Sequence, residues 1–310
     1  MVGSPQLRFP ATITVIPSTP FHQEPLAMRI AFVRLAALAA CLPSQATAAD
    51  RHSMGAIWQR SGDAIVVVPC PPGGDTDEHC RALAARHDGR LTPIGSGYMS
   101  EKLLWAGRDG ATAPDAVVLG DSGGSGGFGD IFAVTFGNPI AVSRLQGERM
   151  DWATARKGAR DLHLTLPFNI EFFHGAPHAG VSISPLPVIW SHGDFAVDFA
   201  RLRKRPTVST ADRAAMRRDL RHWVREGHSA RPYGLDAVNV LTPLLLSGRA
   251  GEARQLLHHA WSTSPQDEQA FWTELCSAVV RHPWWTRFDL KRIPHAARIL
   301  AAARRAKPEV

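Results

Sequence analysis

The sequence predicts an α+β protein: a β-rich N-terminal domain of short, sandwich- or blade-like strands, followed by a C-terminal α-helical domain. Three observations lead there. Between residues 49 and 200, short apolar runs rich in β-branched and aromatic residues recur between Gly/Pro/Asp clusters, as strands do. From Ser209 onward the apolar spacing becomes that of amphipathic helices, with cap-like starts and Gly-bearing stops. The basic, proline-bearing stretch RLRKRPTVST at 201–210 separates the two regimes. With 45% hydrophobic and 20% charged residues over 310 positions, the composition is that of a globular chain rather than a disordered one. The expected segments are 1–27, 28–48, 49–203 and 204–310.

Residues 28–50, MRIAFVRLAALAACLPSQATAAD, carry the parts of a secretory signal peptide in order. Arg29 and Arg34 form the positive start, Leu35 to Leu42 the short apolar run, and Ala46-Thr47-Ala48 a small-x-small cleavage site before Ala49. That run falls short of the roughly 20 residues that span a bilayer, so no transmembrane span is expected. An export signal is read at a chain's start, so Met28 is taken as the true start and residues 1–27 as a mis-called extension. Leu38-Ala39-Ala40-Cys41 resembles a bacterial lipobox, which implies a lipid-modified Cys41 as the alternative to ordinary cleavage. The expected location is periplasmic or secreted. Cys70 and Cys80 flank a turn-rich loop and are expected to pair in an oxidising compartment, while Cys276 reads as a buried free thiol.

The strands are expected around Ala64–Val68, Leu103–Trp105, Ala116–Leu119, Ile131–Val134 and Leu162–Phe173. A helix is expected from Thr76 to Ala85, carrying Cys80. A faint repeat, Gly62-Asp63, Gly129-Asp130 and Gly193-Asp194, reads as turns entering strands and resembles the strand entries of blade-type β repeats. Helices are expected from Ser209 to about Gly227 (Thr210 as cap), Leu235 to Leu246, Glu252 to Trp261, Gln266 to His282, and Pro294 to Arg305. The stretch from 241 to 275, carried by Leu244, Leu245, Gly248, Ala253, Leu256 and Leu257, resembles one tetratricopeptide-like helical hairpin. That resemblance implies packing of a helix pair and contacts with another protein.

Gly120-Asp121-Ser122-Gly123-Gly124 is the sharpest motif: as the trypsin-like GDSGG it lacks the upstream length that family needs for its His and Asp, as a G-x-S-x-G nucleophile elbow it lacks the following helix, and two further readings stand. One is a Gly-rich turn between two strands, where glycine supplies the positive φ that such turns need. The other rests on resemblance to the first block of lipase-like GDSL hydrolases. It implies Ser122 as nucleophile, with Asp219 and His222 supplying the closing Asp-x-x-His letters; no Asn-Asp pair stands in the chain for that family's other block. A second constellation joins Glu171, Phe173, His174, His178 and His192 as a ligand-binding loop. Its alternative is a divalent-metal site at His174, His178, His192 and Asp194. Trp284 and Trp285, after His282-Pro283, read as a plug between helices.

The net charge of +7 is uneven. From Arg201 onward about twenty Lys/Arg face about ten Asp/Glu. An exported basic domain points to another envelope protein or an anionic envelope polymer as partner, and away from nucleic acid. The expected function is therefore non-catalytic, binding or structural, in the bacterial envelope, with no cofactor. A serine hydrolase at Ser122 and a metal site at His174/His178 are the alternatives.

Overall fold

Three dipeptides in which both residues hold positive φ set the strand hairpins of this chain. Ser61-Gly62 (φ 50° and 93°), Asp88-Gly89 (48° and 75°) and His192-Gly193 (54° and 80°) have the sign pattern of type I′ turns, whose twist matches antiparallel strands. The computed structural model describes residues 55–306, apart from 71–79, 108–111, 125, 157–160, 172, 174–181, 205, 226–234 and 263. The expected export signal, Cys41, His174 and His178 lie outside the described residues.

Among the described residues, twelve strands form three four-stranded antiparallel sheets, each a meander in chain order. The first holds β1 (Ala56–Arg60), β2 (Asp63–Pro69), β3 (Arg81–His87) and β4 (Arg90–Tyr98). The second holds β5 (Ser100–Ala106), β6 (Ala116–Gly123), β7 (Phe128–Thr135) and β8 (Ala141–Gly147). The third holds β9 (Thr154–Ala155), β10 (His163–Ile170), β11 (Ser182–Ser191) and β12 (Asp194–Val197). The helices follow: α1 (Phe199–Leu202), α2 (Thr210–Arg225), α3 (Leu235–Leu246), α4 (Ala250–Ala260), α5 (Pro265–Arg281), α6 (Pro283–Arg287) and α7 (Ala296–Ala303). A β-rich region followed by a helical region is the predicted fold class. Among the described residues, no helix is long and apolar enough to cross a membrane.

One local expectation fails. Arg81 to Ala85, read as the end of a helix, is strand β3, paired with β2 and β4. Its alanines favour helix in isolation. Here Ala82 to Ala85 are all buried, with a strand on either side, and small side chains suit that close packing. Cys70 and Cys80 accordingly join two strands rather than a strand and a helix. Their Cα atoms are 5.5 Å apart at disulfide distance, directly beyond the Pro69–Arg81 pair.

Alternation explains how the sheets stack. Ala116 and Val118 on β6, with Phe132 and Val134 on β7, pack against Trp58, Ile65, Leu83 and Tyr98 of the first sheet. Their neighbours Val117, Leu119, Ile131 and Ala133 enter the main core on the opposite face. The second sheet is thus covered on both sides, and β6 and β7 read as continuous apolar runs for that reason. The main core continues through Leu164, Leu166, Phe168 and Leu186 into Leu241, Leu245, Phe271, Trp284 and Ile299, so strands and helices share it. Arg51–Val310 accordingly forms one compact unit.

The helices start and stop on local chemistry. Ser209, one residue before the expected cap, holds the start of α2: its Oγ accepts from Asp212 N at 3.0 Å, and Asp212 Oδ2 accepts from Ser209 N at 2.8 Å. The Ser209 N–H and, also at 2.8 Å, the Ser209 hydroxyl both donate to the Asp212 carboxylate and pull it below its usual range. Gly248 (φ 80°) ends α3, where Arg249 N donates to Leu244 O at 2.8 Å, closing a Schellman-type stop. Ser264 caps α5, with Pro265 in its first turn. Glu268 on α5 is buried and clamps α4 through Arg254 at 2.9 Å and His258 at 3.0 Å.

Candidate functional site

A cleft of about 670 Å³ opens where all three sheets meet the α5–α6 junction. Tyr98 from the end of β4, Ser122 and Phe128 from the β6–β7 turn, Arg144 from β8, Glu171 after β10, and Arg281 to Trp284 line it. Two fixed polar assemblies shape its wall.

The first is centred on Asp130, which is 4% exposed. Tyr98 Oη donates to Asp130 Oδ2 at 2.6 Å, and Arg144 donates through Nε to Oδ1 and through Nη2 to Oδ2, both at 2.8 Å. The buried charge is thereby paired bidentately and fully engaged. Burial, followed by the Asp130 hydrogen bond, pushes the Tyr98 hydroxyl well above its usual range, so it remains a donor at any physiological pH. The same carboxylate raises the Arg144 guanidinium further. Arg144 also lies over the Phe132 ring, 5.9 Å from its centroid. Its Nη1 edge carries no hydrogen bond among the described residues and is available to a ligand acceptor. Phe128, which lines the same cleft, is 44% exposed.

The second assembly runs from Glu148 to the start of α6. Asn169 Nδ2 donates to Glu148 Oε2 at 3.1 Å, and Trp284 N donates to His282 Nδ1 at 3.1 Å. With Nδ1 occupied as acceptor, the imidazole proton sits on Nε2 and faces Asn169 Oδ1 at 3.3 Å. The ring stacks on Phe168, with centroids 4.0 Å apart. Burial lowers the His282 pKa to about 4, so the ring is neutral. A general base needs a free lone pair, and that of His282 is spent on capping α6.

The glycines and side chains of the GDSGG motif have separate local roles. A Cβ on Gly120 would meet the Tyr98 ring at 2.7 Å, so Gly120 exists to let that ring lie on β6. Asp121 Oδ1 accepts from Gly123 N at 2.8 Å, and Gly123 and Gly124 take φ of 77° and 82°. Ser122 Oγ donates to Phe128 O at 2.8 Å. A carbonyl cannot accept the proton itself, so this contact orients the hydroxyl without activating it. Asp219 Oδ2 accepts from Asp236 N at 3.0 Å and so holds the start of α3, while His222 is exposed on α2.

Of the residues expected in the ligand loop, Glu171, Phe173 and His192 are described. Glu171 lines the cleft and faces Arg149 at 4.0 Å. Phe173 is buried edge-on against Phe271 of α5, with centroids 5.3 Å apart, as a packing residue. His192 sits in the β11–β12 turn with Nδ1 2.8 Å from Ser191 Oγ. Asp194 is held by Arg287 Nη2 at 2.8 Å. Among the described residues, no group of three or more His, Cys, Asp or Glu is gathered as a metal would require.

Among the described residues, Ser122 and Glu171 are therefore the expected site residues that the fold brings to one cleft. Sequence reasoning missed Tyr98, Asp130, Arg144, Asn169 and His282. The legible signal was Asp130, an acid inside the otherwise apolar strand FGDIFAV. Matched against protein-family models, curated proteins and solved structures, the chain resembles none of them.

Proposed function

We propose that this chain is an exported, non-catalytic binding protein of the bacterial envelope, and that the cleft between the sheets and the α5–α6 junction seats its ligand. One observation carries the reading: Tyr98, Asp130 and Arg144 form a fixed hydrogen-bonded wall, and Arg144 turns a donor edge that carries no hydrogen bond among the described residues toward the cleft. Preorganised donors beside an exposed aromatic ring suit a polar, hydroxyl-bearing ligand, because the Arg144–Asp130 pair is neutral as a unit. Export is supported by the ordered signal-peptide parts and by the Cys70–Cys80 pair. The basic helical region, with Arg213, Arg217 and Arg218 exposed on α2, suits an anionic envelope polymer.

The test has three parts. N-terminal sequencing of periplasmic protein should begin at Ala49. A fluorophosphonate probe should leave Ser122 unlabelled. Soluble N-acetylated amino-sugar oligomers should bind in calorimetry and lose at least tenfold in affinity with Arg144→Ala or Phe128→Ala. Labelling of Ser122 that disappears in Ser122→Ala would replace this reading with a hydrolase.

A further inference from the structure

We propose a second, separate site: a groove beside α1 that binds an anionic amphiphile, its charged head in one arm and its apolar tail in the other. The head arm is a cavity of about 550 Å³ between the β9–β10 edge and α1, where Arg156, Arg201, Lys204 and His163 converge with the hydroxyls of Thr154 and Thr165. One carboxylate, Asp198, also lines it. Asp198 Oδ1 is engaged by the backbone N–H of Arg201 at 2.9 Å, capping α1, and not by any cationic side chain. Arg156, Arg201 and Lys204 form no side-chain ion pair among the described residues. Three exposed cations thus line one space with a single, already engaged acid, and the positive field they sum to attracts an anion.

The tail arm adjoins it. A cavity of about 220 Å³ shares Thr165, Arg201 and Lys204 with the first and continues between β11 and α3 along Pro187, Leu202, Pro206, Pro243 and Leu246. The proline and leucine side chains offer no hydrogen-bond donors there, and the Ser247 hydroxyl that also lines the arm is spent on Leu244 O at 3.0 Å, so the arm suits hydrocarbon. The shared residues make the two cavities one groove with a cationic end and an apolar end. That polarity commits the occupant to a molecule with a compact anionic head and a short apolar tail. A free inorganic anion would leave the apolar arm wet, and a neutral amphiphile would leave the cations unpaired.

Calorimetry with decyl phosphate below its critical micelle concentration tests the site on the intact chain. Decyl phosphate should bind at least tenfold more tightly than either inorganic phosphate or decyl maltoside. Shortening the tail should weaken binding about threefold to fourfold per methylene removed. Arg201→Gln with Lys204→Gln should cost at least tenfold in affinity while leaving the melting temperature unchanged, because both side chains are exposed and without side-chain partners. Equal affinity for decyl phosphate and decyl maltoside would overturn the charged head arm. Equal affinity for decyl phosphate and inorganic phosphate would overturn the tail arm. Undiminished binding by the double variant, or no binding at millimolar decyl phosphate, would overturn the site. None of these outcomes bears on the cleft at Arg144, which shares no residue with the groove.

Discussion

His282 is held neutral by burial, and this makes it the residue with the clearest pH signature. Its folded pKa of about 4 lies below the ordinary value of 6.5. The unfolded chain therefore takes up a proton that the folded chain refuses. Stability is full above about pH 6.5, falls as pH drops toward about 4, and levels off below that, where both states are protonated. The full loss is about 3 kcal/mol for a gap of this size. In urea denaturation from pH 7 to pH 4, the wild type should lose stability with the slope of one proton more than His282→Gln; parallel curves would show that His282 does not titrate as described. His87 runs the other way. Its hydrogen bond with Asp63 raises its pKa, so its contribution is present at low pH and fades as pH rises through that raised value. The difference between wild type and the His282 variant removes this opposing effect.

At the scale of the element, β6 and its turn separate two roles that the GDSGG motif held together in the sequence. Gly120 is a packing position, because the Tyr98 ring occupies the space of a Cβ and its hydroxyl is fixed by Asp130. Gly120→Ala should destabilise the protein by about 2 kcal/mol, the usual magnitude of overpacking against a ring that cannot retreat. Ser122 is exposed, and its one hydrogen bond among the described residues is to the Phe128 carbonyl. Ser122→Ala should change stability by no more than about 0.5 kcal/mol. Chemical denaturation of both variants checks this, and a reversed order would return Ser122 to the centre of the motif. Elsewhere, helix boundaries were legible within two residues at most ends, since caps, Gly stops and apolar period are local properties. β3 was not, since its alanines favour helix and only pairing with β2 and β4 makes it a strand.

For the whole molecule, the decisive feature is the shared core. Phe173, after β10, meets Phe271 of α5 edge-on, and Phe168 stacks on His282 across the same boundary. Leu164 and Leu166 lie in one cluster with Leu241, Trp284 and Ile299. Neither region covers its apolar face alone. Separate production of residues 49–203 and 204–310 should yield two chains without near-ultraviolet circular dichroism, whereas residues 49–310 together should unfold in one transition seen identically by near- and far-ultraviolet signals. Two resolved transitions, or a folded helical fragment, would show that the regions stand independently.

By itself the sequence determined the class of the fold, the change from strands to helices to within about six residues, the Cys70–Cys80 pairing, and most helix ends. These depend on neighbours a few residues apart, and composition and periodicity record such neighbours directly. The tertiary structure alone decided where the cleft lies. Tyr98, Asp130 and Arg144 come from three strands, and Asn169 and His282 are joined across 113 positions, so no local pattern could place them together. It also decided which of the GDSGG glycines is a packing position. A glycine needed for a turn and a glycine needed beneath a tyrosine ring look alike in sequence, and only the ring's position tells them apart.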